Sequence, residues 1–184
     1  MGSTRSTLLL AETIRKRCIV DKVSEVKEWV KSLSVKREEL GGHSVCPYAF
    51  SATVLVEERA LSNVTLNDDY DVVVYIVEDD ISICSMMRTI GELNMRYPDH
   101  MILDDHKDEP TYINGIQSNF GKANLILIQR RDKLLKARED LHKTSYYSFW
   151  ESELYERITN GKLPNRQKQR IRQLWNDTHH PTRE

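Results

Sequence analysis

Apolar residues recur at three- and four-residue steps in several segments of this chain, which is the spacing that places them on one face of an α-helix. Such segments are residues 8–33, 81–97, 130–142, 146–159 and 164–176. In the second segment the apolar face consists of Met86, Met87, Ile90 and Leu93, and Pro98 follows its end. The pattern therefore predicts a helix in each segment, with the first forming one helix or a pair.

Four short segments have the composition of β-strands, because β-branched and aromatic or other apolar residues dominate them. They are residues 53–57, 70–77, 101–103 and 125–128. The predicted order is a helix, two strands, a helix, a strand, a long loop, a strand and further helices. This mixed order predicts an α+β fold, in which helices cover a small, mostly antiparallel sheet and helical extensions lie at both ends.

With 184 residues, the chain is long enough to form one domain with a sizeable core. We predict a single domain at residues 8–160. Residues 1–7 are expected to be a disordered leader or a cloning remnant, and residues 161–184 a basic helical extension. The content of 39% hydrophobic and 30% charged residues, with a net charge of −1, is typical of a soluble globular protein.

The cysteines and the short apolar runs indicate in which cellular compartment the protein is expected. There are three cysteines, widely spaced and odd in number, so a disulfide framework is not expected. The longest apolar run near the start of the chain is too short for a signal sequence or a membrane span. These features predict a cytoplasmic protein without a membrane partner.

The segment from Gly41 to Phe50 contains glycine and proline residues, which favour turns, together with reactive side chains. Gly41 and Gly42 are followed by His43, and Cys46 directly precedes Pro47. A cysteine at such a junction can lie near free backbone N–H groups, which lower a thiol pKa and stabilise an oxyanion. The alternative is a packing role, because free cysteine is usually a small buried hydrophobe.

The loop after the third predicted strand combines one histidine with four carboxylates between Asp104 and Glu109. His106 could act as a general base that Asp105 or Asp108 orients. His106 and Asp105 could instead be ligands of a divalent metal ion such as iron, manganese or zinc. The alternative is a solvated charged loop, since no established metal-binding spacing is present.

The polar residues that follow are candidates for substrate binding. Tyr112 and Asn114 lie in a segment in which Asn114-Gly115 favours a tight turn. Arg130, just after the last predicted strand, suits a carboxylate group. Turn formation explains the first two residues equally well.

Basic side chains cluster near the end of the chain and could contact the phosphates of a nucleic acid. They are Lys162, Arg166, Lys168, Arg170 and Arg172. The solvated face of a terminal helix is the alternative explanation.

Several segments between residues 25 and 140 resemble an uncharacterised bacterial family, the domain of unknown function number fourteen-fifteen. That family has a helix with tryptophan, a Cys-Pro-Phe-Ala motif, a loop with His and Asp, and an Asn-rich turn. The matching pieces, within residues 25–140, are Trp29, Cys46-Pro47-Tyr48-Ala49, His106 with Asp108, Tyr112-Ile113-Asn114, and residues 127–131. Tyr48 replaces the usual phenylalanine, and the spacing differs. The resemblance implies that Cys46 and the 104–114 loop form one recurring arrangement and lie close together in space.

Together these observations predict a small cytosolic enzyme acting on a small polar metabolite. Its catalytic residues would be Cys46 and His106, with Asp105 or Asp108 orienting the histidine, and Asn114, Tyr112 and Arg130 holding the substrate. The mechanism would be thiol-dependent or metal-assisted. The alternative is a non-catalytic module that recognises a protein or nucleic acid through its helical C-terminus, residues 162–172. The oligomeric state is not predicted.

Overall fold

The computed structural model describes residues 22–160. The helices are α1 at residues 22–33, α2 at Ile83–Arg96, α3 at Arg131–His142 and α4 at Ser152–Asn160. The strands are β1 at Val54–Glu58, β2 at Val72–Val77, β3 at His100–Asp105, β4 at Tyr112–Ile113, β5 at Ile116–Gln117 and β6 at Asn124–Arg130. The predicted leader, the first part of the predicted N-terminal helix and the basic C-terminal extension lie outside the described residues.

Four strands form one sheet in the order β1-β2-β6-β3, and β4 pairs with β5 in a separate hairpin. Strands β1 and β2 run parallel. Strand β6 lies between β2 and β3 and is antiparallel to both. The predicted α+β fold with a small, mostly antiparallel sheet is therefore confirmed.

One face of the sheet is covered by α2. Met86, Ile90 and Leu93 of this helix pack on Tyr75 of β2 and Ile102 of β3. The three helical residues are spaced at steps of four and three, as predicted, so they share one face of the helix. Ser82 begins the helix, because its side-chain oxygen accepts a hydrogen bond from the backbone N–H of Ser85.

The opposite face of the sheet is covered in two parts. Helix α1 packs through Val26 on Val56 of β1 and on Val74 of β2. A satellite cluster, defined by Leu40, Val45, Ile113 and Leu154, lies apart from this packing. The packing of α1 extends as far as Leu125 of β6, and residues of β3 and β6 beyond it lie opposite the satellite cluster and α3.

The free edge of β3 is capped by a side chain of α2. Asn94 Nδ2 donates to the carbonyl oxygen of Ile102 at 2.7 Å, and Asn94 Oδ1 accepts from the Ile102 N–H at 3.0 Å. The same Nδ2 also donates to the carbonyl oxygen of Ile90. The amide thus satisfies backbone groups that an exposed edge strand would otherwise present to another chain.

We expect Asn94→Ala to lower the free energy of unfolding by about 2 kcal/mol, because partly buried backbone groups of Ile102 lose their partners. Urea unfolding followed by circular dichroism measures this change. Glu92→Ala, at an exposed position of the same helix, is the control and should change stability by less than about 0.5 kcal/mol. Equal stability of the two variants would show that the cap does not stabilise β3.

One local expectation differs from the structure, and another is confirmed. The predicted helix at residues 146–159 is wrong in its first half, where a 3-10 turn at Tyr146–Phe149 precedes α4. Trp150 has extended backbone angles that separate the two. The predicted turn at Asn114-Gly115 is confirmed, since both residues have positive φ and connect β4 to β5.

None of the helices among residues 22–160 has the length and apolar character needed to cross a membrane.

Candidate functional site

A cavity of about 690 Å³ lies between the sheet and the satellite cluster. Met101 and Leu103 of β3 and Leu127 of β6 form its floor, and Val45 and Ile113 of the satellite cluster lie opposite. Helix α3 lies over one part of this half of the sheet, where Arg138 contacts Met101, and the cavity lies beside this contact. Its wall is mainly apolar and aromatic, with a few polar groups, as is usual for small-molecule sites.

Cys46 lines this cavity and is half-buried. Its backbone N–H donates to the carbonyl oxygen of Leu33 at the end of α1, which fixes the loop. Burial raises the pKa of the Cys46 thiol, and the N–H groups of Ala49 and Tyr48 and the charge of Arg138 only partly oppose this. The group facing the cavity at neutral pH is therefore a thiol rather than a thiolate.

Arg138 of α3 is a buried cation in the same wall, with 7% of its surface exposed. Its Nη2 atom is directed at the thioether of Met101, at 3.3 Å. Burial lowers the pKa of the guanidinium from its ordinary value, and the neighbouring Tyr147 opposes this effect. The ordinary pKa of arginine lies so far above neutrality that the guanidinium retains its positive charge.

Tyr146 joins the aromatic turn to the loop that carries Cys46. Its hydroxyl donates to the carbonyl oxygen of Val45 at 2.5 Å. Burial raises the pKa of Tyr146, so the hydroxyl stays a neutral donor. This bond closes one side of the cavity.

His106 also lines the cavity, but its ring is held by the backbone on both sides. Nε2 donates to the carbonyl oxygen of Ile81 at 2.9 Å, and Nδ1 accepts from the N–H of Asp108 at 3.2 Å. These bonds define a neutral imidazole with its proton on Nε2. Neither nitrogen is directed at Cys46, so the geometry provides no support for a cysteine–histidine pair, and the catalytic assignment stays a prediction.

Asp105 and Asn119 lie near each other at the end of β3. Asp105 Oδ2 accepts from the backbone N–H of Phe120 at 2.9 Å. Asn119 Oδ1 accepts from the backbone N–H of Thr111 at 3.0 Å. Both residues are buried and line the cavity. They supply a carboxylate and an amide to the part of the cavity near the end of β3.

Four buried hydrogen-bond donors of the cavity wall have no hydrogen-bond partner within the described part of the chain. They are Trp29 Nε1, Tyr48 Oη, Asn119 Nδ2 and Trp150 Nε1. Burial raises the pKa of Tyr48 to about 12, so its hydroxyl keeps its proton over the whole neutral range. The side chains that line the cavity therefore include several whose donors are buried and unsatisfied within the described part of the chain.

The other predicted site residues lie outside the cavity lining. Asn114 is exposed and donates to the carbonyl oxygen of Glu39, which anchors the hairpin. Tyr112 is 46% exposed. Arg130 is paired with Asp132 on the surface. Asp108 is exposed, with a carboxylate oxygen 3.9 Å from the ring of His106. The structure does not bring these side chains to Cys46.

Within residues 22–160, no group of three or more His, Cys, Asp and Glu side chains is arranged to hold a metal ion. The predicted ligands His106 and Asp105 are instead engaged with backbone N–H and carbonyl groups. The donor set therefore does not fit the metal-assisted mechanism. The predicted nucleic-acid segment, residues 162–172, lies outside the described residues.

Sequence reasoning missed the most distinctive polar residue of the cavity, Arg138. The pattern contained a signal for it: Leu134, Arg138 and Leu141 follow one another at steps of four and three on the apolar stripe of α3. A charged residue on such a stripe faces the protein interior, where a charge needs a function or a partner.

Comparisons with protein-family models, with curated proteins and with solved structures found no match to this chain. The resemblance to the bacterial family with a Cys-Pro-Phe-Ala motif therefore stays a prediction, and a function has to be inferred from the cavity itself.

Proposed function

We propose that this chain binds a small organic acid in the cavity between the sheet and the satellite cluster. The observation that carries the proposal is that four side chains lining this cavity each have a buried donor without a partner among the described residues. Each such group costs roughly 1–3 kcal/mol of folding free energy, and native proteins retain few of them. Oxygen atoms of a bound molecule would satisfy those donors that a side-chain rotation turns toward the cavity.

Arg138 supplies a local positive charge to a wall that also includes Asp104, Asp105 and Glu109. Arg138 is a permanent cation in mainly apolar surroundings, where electrostatic interactions are stronger than in water. A guanidinium group also matches the planar geometry of a carboxylate. We therefore infer that the bound molecule carries a carboxylate that lies on the Arg138 side of the cavity.

The volume and the side chains of the cavity fit an acid with an apolar or aromatic body. A space of about 690 Å³ is within the range of small-molecule sites. Trp29 and Trp150 provide flat aromatic surfaces, and Met101 provides a flexible thioether. Arylalkanoic acids, such as phenylbutanoic acid, represent this class.

Catalysis at the Cys46 thiol is a second candidate function, favoured by the location of Cys46 in the same cavity. Its raised pKa keeps the thiol protonated, and the ring of His106 is occupied by backbone groups. A group other than His106 would have to accept the thiol proton. The binding proposal does not require this step.

Tyr48→Phe tests the proposal because it removes one donor that has no partner within residues 22–160 and keeps the ring. We expect the free energy of unfolding to rise by about 1 kcal/mol, since a buried hydroxyl without a partner is destabilising. The affinity for phenylbutanoic acid should fall by about tenfold, since the acid loses one hydrogen bond. Urea unfolding and isothermal titration calorimetry measure the two changes.

Tyr75→Phe is the matched control. The Tyr75 hydroxyl donates to the carbonyl oxygen of Thr65 at 3.0 Å, and Tyr75 does not line the cavity. This variant should lose about 1 kcal/mol of stability and keep its affinity. Absence of saturable binding by phenylbutanoic acid and its ring-substituted analogues, or binding equally tight to the neutral phenylbutanamide, would overturn the proposal.

A further inference from the structure

We infer that the molecule bound in this cavity has an extended hydrocarbon tail, that this tail crosses the free edge of β3 to reach α2, and that Gly91 of α2 determines how long the tail can be. The inference deepens the proposed function and rests on it, since it concerns the apolar body of the same bound acid. It comes from the course of the cavity around β3 and from a glycine that the fold itself does not require.

The cavity extends around one edge of β3. Successive side chains of a strand point to opposite faces of a sheet, yet the consecutive residues Met101, Ile102 and Leu103 all line the cavity. Strand β3 is the last strand in the order β1-β2-β6-β3, so its outer edge pairs with no other strand of the described chain. A cavity that is lined from both faces of an edge strand passes over the unpaired edge.

Helices from both sides of the sheet contribute to the cavity wall. Leu134 and Ala137 belong to α3, whereas Met87 and Gly91 belong to α2, which packs on the opposite face. An elongated molecule can therefore extend from the α3 side across β3 to the α2 side. The volume of about 690 Å³ is large enough for a drug-sized molecule, and phenylbutanoic acid is smaller than that.

The crossing point favours a hydrocarbon tail over a peptide. A peptide that extends a sheet needs the free N–H and C=O groups of the edge strand. Asn94 already binds both groups of Ile102, because Nδ2 donates to the carbonyl oxygen at 2.7 Å and Oδ1 accepts from the N–H at 3.0 Å. The neighbouring side chains Met87 and Ile90 of α2 also line the cavity and are apolar. A tail that needs no hydrogen bonds therefore fits this passage.

Gly91 keeps the α2 end of the cavity open. Glycine in the interior of a helix is less favourable than alanine, because it loses more backbone freedom on folding. Gly91 is not among the described residues with positive φ, and a Cβ added to it would meet no atom within 4 Å. Neither the backbone nor the packing of the described residues therefore requires glycine at this position. What a larger side chain would remove here is space in the cavity.

Calorimetric titration with two acids of different length tests the inference: phenylbutanoic acid and phenyloctanoic acid, each with the ring at the end opposite the carboxylate. We expect the longer acid to bind the native chain about tenfold more tightly, because its additional methylene groups leave water. The gain should stay below that of complete burial, since Gly91 lies on the exposed side of α2.

Gly91→Leu is the variant that isolates the α2 end of the cavity. The leucine side chain would occupy the space of the tail, so the two acids should bind this variant with equal affinity. The variant is expected to fold, because leucine is a better helix former and nothing obstructs its Cβ. Glu92→Leu adds the same side chain at an exposed position of α2 that does not line the cavity, so it should keep the tenfold preference of about the native size.

The outcomes separate this inference from the proposed function. Equal or weaker binding of phenyloctanoic acid by the native chain would overturn the inference while the proposed function stands. A preference for the longer acid that persists in Gly91→Leu would do the same. Absence of binding by both acids would overturn the proposed function itself. Should Gly91→Leu fail to fold, the ranking of the two acids by the native chain remains an independent test.

Discussion

Asn124→Leu is expected to lower the free energy of unfolding by about 4 kcal/mol, since two backbone groups lose their buried partner. Asn124 is fully buried at the start of β6. Its Oδ1 accepts from the N–H of Lys107 at 3.1 Å, and its Nδ2 donates to the carbonyl oxygen of Glu78 at 2.8 Å. Leucine has nearly the same size but can make neither bond.

Chemical unfolding of the native chain and the variant measures this change. Asn63→Leu, at an exposed position, is the control and should stay within about 0.5 kcal/mol of the native chain. If the two variants differ by less than about 1 kcal/mol, the bonds of Asn124 do not stabilise the sheet to the extent that a buried amide bridge should.

The position of Asn124 explains why the effect should be large. Glu78 directly follows β2, Lys107 follows the Asp105-His106 end of β3, and Asn124 begins β6. One side chain therefore connects three strand ends at the same end of the sheet. It also supports the turn next to Asp105, which forms one end of the cavity.

The elements that the sequence pattern predicts well are those with a clear period or a continuous apolar run. Helix α2 and strand β2 are examples: Met86, Ile90 and Leu93 are buried as expected, and every residue of β2 is buried. The β4-β5 hairpin has only two residues in each strand, too few for any alternation to be visible. The sequence could therefore indicate its turn but not its strands.

The site was harder to predict than the fold because sequence spacing does not show which way a side chain points. Cys46 and His106 do line one cavity, but local backbone bonds turn the His106 ring toward Ile81 and Asp108. The indole of Trp150 comes from a segment predicted as helix, and its extended backbone depends on tertiary packing. Long-range contacts of this kind determine which hydrogen-bonding side chains line the same cavity.

The glycine pair at Gly41-Gly42 has a structural reason that the sequence alone could not separate from a catalytic one. Both residues have positive φ, which glycine adopts without a steric penalty. Gly41 follows the 3-10 turn at Glu38–Leu40 and donates its N–H to Glu38. It also lies against the ring of Phe149, which packs on the satellite cluster.

Gly41→Ala is expected to lower the free energy of unfolding by about 3 kcal/mol, combining roughly 1 kcal/mol of backbone strain with the cost of overpacking. A Cβ at this position would lie 2.7 Å from Cζ of Phe149, with φ at +61°. Gly42→Ala is the matched control, because its φ is +84° but no atom lies within 4 Å of the added carbon. It should show the backbone strain alone.

A double-mutant cycle separates the two causes, with thermal or urea unfolding as the measurement. In a Phe149→Ala background the contact is absent, so Gly41→Ala should cost no more than Gly42→Ala does in the native chain. If Gly41→Ala and Gly42→Ala are equally destabilising in the native chain, the close packing on Phe149 is not what requires glycine. The packing around Phe149 would then tolerate a side chain at position 41, and only the left-handed backbone would account for the pair.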